Sequence, residues 1–209
     1  VLGDEINRAP AKTLSALLEA MQERHVTIEG ENHELPDPFL VLATQNPLEQ
    51  EGVYTLPEAQ LDRFLLKVVI GYPSAEQEFQ VLKTHQRTPP SVRPLMASRD
   101  IEVMRAYVEH RVQVQDELLH YIIRMARFTR EHSKVELGAS PRAALSLLKA
   151  SKARAALHGR DFVLPDDVRA LSKSVLAHRV ILTPEAELGG VRAEDIVSQA
   201  IQKVRYSKG

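Results

Sequence analysis

A chain of 209 residues carrying 27 Lys+Arg against 28 Asp+Glu has a formal net charge of −1, which gives no basis for bulk electrostatic attachment to nucleic acid or an anionic membrane. Its 44% hydrophobic and 26% charged residues match an ordinary soluble protein of one to two domains, and no apolar run approaches the roughly 20 residues of a membrane helix. The absence of cysteine excludes a disulfide scaffold, a Cys-held zinc site and a thiol nucleophile, and it fits a reducing compartment such as the cytoplasm.

The chain opens Val1-Leu2-Gly3-Asp4-Glu5, a short apolar run ending in two acids, with no basic and apolar leader. Without an initiator methionine, this opening reads as cut from something longer. From Pro10 onward, Leu14, Leu17, Leu18 and Met21 recur at helical spacing and predict an amphipathic helix ending near Arg24. Val26 and Ile28 alternate with polar residues before Glu29-Gly30-Glu31-Asn32, and Leu35 follows, which predicts a short hairpin. Phe39 to Ala43, and Phe64 to Ile70 apart from Lys67, are continuous apolar runs suited to strands buried on both faces of a parallel sheet.

Beyond Gly71-Tyr72-Pro73 the strand signals nearly vanish, which sets a boundary near residue 72. Breaks such as Thr88-Pro89-Pro90 and Val92-Arg93-Pro94 separate helical stretches. Leu118, Ile122, Met125, Ala126 and Thr129 line one helical face, Val168, Leu171, Val175 and Leu176 a second, and Val197, Ala200, Ile201 and Val204 a third, predicting a small helical bundle. There is no internal repeat and no low-complexity tract.

Four clusters could carry chemistry. Asp4 and Glu5 end an apolar strand, the usual place for a site in an open α/β sheet. Alternation would let one approach a cation and the other polarise a water, with a solvated Asp-Glu loop as the competing reading. Ala43-Thr44-Gln45-Asn46-Pro47 ends a second strand in a polar cluster. Asn46, both donor and acceptor, could orient a water against a phosphate or could be a turn asparagine before proline. In Leu61-Asp62-Arg63-Phe64 the planar guanidinium suits phosphate oxygens, or it pairs with Asp62 or another acid on the surface. Gly138-Ala139-Ser140-Pro141-Arg142 offers a serine cap, a proline at the first helical position and an arginine immediately after, a helix start that favours an anion; an exposed arginine is the alternative.

Other chemistries are set aside. No glycine is followed by lysine, so no phosphate loop of the form G-x-x-x-x-G-K-[ST] exists in this sequence. H-E-x-x-H, G-x-S-x-G and G-x-G-x-x-G are absent as well, and the eight histidines lack ligand spacing.

Taken in order, VLGDEINRAPAKTLSALLEAMQERHVTIEGENHELPDPFLVLATQNPLEQEGVYTLPEAQLDRFLLKV resembles the MoxR family of AAA+ ATPases from the second acidic nucleotide motif onward. GASPRAALSLLKASKARAALHGRDFVLPDDV resembles that family's lid domain. The resemblance implies an α/β partial AAA+ core over residues 1–72, a parallel sheet with flanking helices whose first strands and P-loop are missing, followed by an all-α helical lid over 73–209. It implies ATP and Mg2+ as cofactors. Asp4 matches the Walker B acid that serves magnesium, and Glu5 the acid that activates the hydrolytic water. Asn46 matches sensor 1, Arg142 the sensor 2 arginine, and Arg63 the arginine finger that reaches a neighbouring subunit's nucleotide, a contribution of about 10³ to 10⁵ in rate. Arg8, just after the acids, is a second candidate for the arginine acting in trans.

The implied activity is ATP-driven remodelling or maturation of partner proteins by a homo-oligomeric ring, a hexamer by resemblance, acting with a von Willebrand factor A domain protein and without membrane insertion. A nucleic-acid motor of a related clade is the alternative, but the hairpin tip from Glu29 to Glu34 carries three glutamates and no lysine or arginine, which repels a phosphate backbone. A non-catalytic interaction fragment is the third reading. Without a phosphate loop, this chain alone is expected to bind ATP poorly, to be inactive, and to associate through uncovered apolar faces.

Overall fold

The computed structural model describes residues 1–46, 57–86 and 91–207; Pro47 and the Thr88-Pro89-Pro90 break lie outside them. Strand β1 (Leu2–Gly3) pairs in parallel with β4 (Leu42–Ala43), Leu2 opposite Leu42 and Gly3 opposite Ala43. Between them lie helix α1 (Ala11–Glu23) and the antiparallel hairpin of β2 (His25–Ile28) and β3 (Glu31–Glu34). The helix stops where Arg24 takes a left-handed φ of 61°. The hairpin turns through Glu29 (φ 52°) and Gly30 (φ 88°), two positive φ values in succession, as a two-residue loop matched to strand twist requires. Only these two residues form the tip, since Glu31 to Glu34 belong to a strand.

Leu14 and Leu18 of α1 are buried with Ile6, and Ala43, Leu61 and Phe64 pack against them. Full burial of a leucine side chain is worth roughly 1.5–3 kcal/mol, so this small cluster holds α1 across the strand ends. It covers one face only. Ala43 turns inward, whereas Leu2 and Leu42 remain 69% and 57% exposed.

The expectation of strands buried on both faces therefore fails for Phe39 to Ala43, since among the described residues nothing lies over the second face. It fails differently for Phe64 to Ile70, which forms no strand. The amide of Lys67 donates to the carbonyl of Ser174 at 2.8 Å, and the carbonyls of Phe64 and Leu65 accept from side chains of the helical part. These backbone groups are satisfied without a strand neighbour, and Val68, Val69 and Ile70 stay exposed.

The second core belongs to α5 (Asp116–Arg130), α6 (Pro141–Leu157), α7 (Pro165–Leu176) and α9 (Ala193–Lys203). Leu118, Ile122, Met125, Ala126 and Thr129 are buried on α5, Val168, Val175 and Leu176 on α7, and Val197 and Ala200 on α9; Leu171, Ile201 and Val204 pack against them partly buried. Helix α6 faces this core with small residues, Ala143, Ser146, Ala150, Ser151 and Ala155 around Leu147, which lets its neighbours approach closely. Asp167, the third residue of α7, is 3% exposed, yet it accepts from Arg160 twice at 2.7 Å and from the Leu164 amide at 2.9 Å. Burial alone would raise its carboxyl, but these hydrogen bonds and the charges of Arg160 and Arg154 outweigh that and hold it below the usual carboxylate range.

The helical part is not all-α. Strands β5 (Val135–Leu137) and β6 (Ile181–Leu182) pair antiparallel with a bulge, too short for alternation to show in the sequence. Among the described residues of the helical part, three α-helices lie outside the second core: α3 (Ala75–His85) and α4 (Ser98–His110), which bury no residue, and the short α8 (Pro184–Leu188) after β6. The remaining helix, α2 (Glu58–Leu61), leads into Asp62. No helix among the described residues is long and apolar enough to cross a membrane.

Candidate functional site

The parallel register of β1 and β4 places Asp4-Glu5 beside Thr44, two residues before Asn46. The amide of Thr44 donates to the carbonyl of Gly3 at 3.0 Å, and that of Ile6 to the carbonyl of Thr44 at 3.1 Å. The side chain of Thr44 spans the two acids: its Oγ1 accepts from the amide of Glu5 at 2.9 Å and donates to Asp4 Oδ1. Glu5 has left the strand and sits in the left-handed region at φ 48°, ψ 51°. The acids thus diverge because the backbone turns, rather than by strand alternation.

A non-glycine residue held in that region costs on the order of 1 kcal/mol or more and concentrates at functional sites. The turn is tight: a Cβ on Gly3 would come within 2.8 Å of Ile6 Cγ2, so Ile6 can tuck beneath the strand only because Gly3 has no side chain.

Asp4 is exposed, Glu5 half-exposed and paired with Arg8 at 3.3 Å, and Asn46 half-buried. Among the described residues no three metal-ligating side chains cluster. One carboxylate at a strand end suits Mg2+, which keeps its waters and binds through one or two carboxylates plus phosphate oxygens. Asp4 is the residue that would hold it.

Arg63 follows α2 and the cap residue Asp62, and it does not join the acids. Among the described residues its Nη1 reaches only the carbonyl of Leu18 at 3.5 Å, and its buried Nε has no partner. The surface pairing with Asp62 does not form either, because Asp62 turns toward the helical part. There Arg179, 6% exposed, donates from Nε to Asp62 Oδ1 at 2.7 Å. Burial first, with the charge of Arg142, lowers its guanidinium from the ordinary value, while Asp62 acts in the opposite direction.

Beside it, His178 donates from Nε2 to the carbonyl of Phe64 at 3.2 Å. Burial first, then the charge of Arg179, pushes the His178 imidazole down to about 4. Sequence reasoning missed His178 and Arg179. The available signal was a His-Arg pair closely following the apolar face of α7 instead of a turn residue.

At the start of α6, Ser140 accepts from the amide of Ala143 at 3.2 Å, with Pro141 at the first position. Arg142 is exposed there. Ser140 Oγ also donates to Asp62 at 3.0 and 3.2 Å, so this helix start is tied to the residue before Arg63.

Residues 1–66 match the family described as ATPases associated with various cellular activities, and residues 127–200 match the AAA lid domain. These two matches, in chain order, place the chain in the AAA+ class of ATPases. The chain is 47% identical over 207 residues to the uncharacterized protein YeaC of Bacillus subtilis, covering 98% of this chain and 64% of that protein. It is 43% identical over 213 residues to the chaperone MoxR1 of Mycobacterium tuberculosis, covering 98% and 56%. A solved structure of a candidate ATPase from Cytophaga hutchinsonii matches with a TM-score of 0.93 at 40% identity, covering 99% of this chain and 66% of that one. The chain belongs to the MoxR-type AAA+ ATPases, and it spans between 56% and 66% of the length of these relatives.

Proposed function

We propose that this chain forms part of an ATP-hydrolysing ring that remodels or matures partner proteins. The observation that carries this reading is the placement of Asp4 and Glu5 just past β1 beside Thr44 just past β4, with Thr44 bridging the two acids and Asn46 two residues further along the chain. In this reading Asp4 serves Mg2+, Glu5 accepts the proton of the attacking water, and Asn46 orients that water. Arg142 compensates charge on the terminal phosphate from the lid, and Arg63 does so from a neighbouring subunit. Phosphoryl transfer gains chiefly from placement and charge compensation, which these residues supply without a covalent step. Arg8 is the second candidate in trans, although its pairing with Glu5 favours a role beside the acids.

The division near residue 72 separates the core part from the helical lid. Relatives of greater length support a longer polypeptide that supplies the phosphate-binding loop absent from this sequence, so the 209-residue chain alone would not hydrolyse ATP. A hexamer, a von Willebrand factor A domain partner and a cytoplasmic setting complete the proposal. A nucleic-acid motor is disfavoured by the exposed Glu29, Glu31 and Glu34 of the hairpin.

The test is steady-state ATP turnover by the full-length protein across protein concentrations, with and without Glu5→Gln. Turnover per subunit should rise with assembly, and Glu5→Gln should lower kcat by about 10² or more. Unchanged turnover in Glu5→Gln would refute the assignment.

A further inference from the structure

Arg179 belongs to the helical part, yet most of its hydrogen bonds run to the segment around Arg63. Besides the 2.7 Å bond to the Asp62 carboxylate, Nη2 donates to the carbonyls of Asp62 at 3.0 Å and Phe64 at 2.6 Å, and Nη1 to that of Leu65 at 3.4 Å. One planar cation therefore grips the backbone on both sides of Arg63. Its remaining contacts, the carbonyl of Val175 and Ser146 Oγ at 3.3 Å, root it in α7 and α6. The Asp62 carboxylate completes the link by accepting from Ser140, the cap of the helix whose second residue is Arg142.

Among the described residues the side chain of Arg63 has no comparable hold: one 3.5 Å hydrogen bond and a buried Nε without a partner. Its backbone is fixed while its charge is lightly parked, the condition of a group that can swing toward another ligand. Separating Asp62 from Arg179 would strand a buried charge, which is strongly unfavourable. Helix α6 is tied to this pair at two points, Ser140 donating to Asp62 and Ser146 accepting from Arg179, so a movement of α6 pulls on residues 62–65.

Resting on the nucleotide site proposed above, we infer that Asp62 is a positioning residue that couples the reach of Arg63 toward a neighbouring subunit's nucleotide to the placement of Arg142 in its own lid. A lid that settles on nucleotide in one subunit thereby sets the arginine offered to the next. Misplacement of a charge-compensating group by about 1 Å costs on the order of 10²-fold in rate, so the link need transmit only a small shift.

The experiment uses mixed assemblies of the full-length protein in which wild-type subunits are outnumbered about tenfold by subunits silenced with Glu5→Gln. The silenced subunits carry no further change, Arg63→Ala, Asp62→Asn, or Asp62→Glu, and their incorporation is followed by co-elution. Against Glu5→Gln alone, Arg63→Ala should lower kcat per wild-type subunit at least about tenfold, with KM for ATP within about twofold. Asp62→Asn should reproduce at least half of that loss on a logarithmic scale, and Asp62→Glu, which keeps the charge, should restore most of it. If Arg63→Ala adds nothing, the shared-site reading fails. If it does but incorporated Asp62→Asn subunits behave like Glu5→Gln alone, the positioning role is overturned while the shared site stands. Should Asp62→Asn subunits not incorporate, Arg179→Lys is substituted and judged by the same two outcomes.

Discussion

Thr44 ties down Asp4: its hydroxyl donates to the Asp4 carboxylate while accepting the amide of Glu5 at 2.9 Å. One threonine just past β4 thus holds two acids just past β1, and the amide of Glu5, whose backbone is left-handed, is the donor of one of the two bonds.

Thr44→Val in the full-length protein removes both bonds while keeping the side-chain shape. A hydrogen bond to a charged group is worth about 1.5–3 kcal/mol, so kcat for ATP should fall by about tenfold or more, with KM changed far less. Thr44→Ser should stay within about threefold of wild type. Equal kcat in Thr44→Val and wild type would show that the hydroxyl does not place the acids.

Stability should depend on pH through His178. Its folded value of about 4 lies below the ordinary 6.5, so the unfolded chain binds the additional proton across that interval. The contribution is fully present above about pH 6.5 and is lost as pH falls toward about 4. Protonation also places a second N–H on the buried Nδ1, which has no partner among the described residues. Allowing for partial exposure, we expect a loss of about 1–2 kcal/mol between about pH 7.5 and pH 5. Urea unfolding at both values measures it. His178→Gln, which retains a donor for Phe64, should flatten that dependence; an undiminished slope in the variant would assign the titration to another group.

Gly138 admits no side chain. A Cβ there would lie 2.6 Å from both Cα and N of Arg130, backbone atoms that cannot swing aside, and the adjoining bonds from Arg130 Nε to the Ala139 carbonyl (2.7 Å) and from the Ala139 amide to Thr129 Oγ1 (2.9 Å) hold the crossing shut. Gly138→Ala should destabilise the helical part by about 2–3 kcal/mol, lowering Tm by roughly 5–10 °C for a chain of this size. Differential scanning calorimetry checks this, and a Tm within about 1 °C of wild type would mean that the crossing can open without cost.

Local signals determined much of the molecule. The recurrence of Leu14 and Leu18, the faces of α5, α7 and α9, the hairpin and the Ser140-Pro141 helix start are legible in sequence, because each follows from periodicity or capping within a few residues of chain. That Asp4-Glu5 and Thr44 follow directly on short strands was legible for the same reason. Tertiary structure alone decided the rest. An apolar run such as Phe64 to Ile70 carries no record of whether a strand or a helix end will satisfy its backbone, and here Ser174, His178 and Arg179 do so. Asp62 and Arg179 stand 117 positions apart, and no local pattern can pair two charges at that separation. Their meeting is set by tertiary packing, and that packing decides which groups hold the backbone on either side of Arg63.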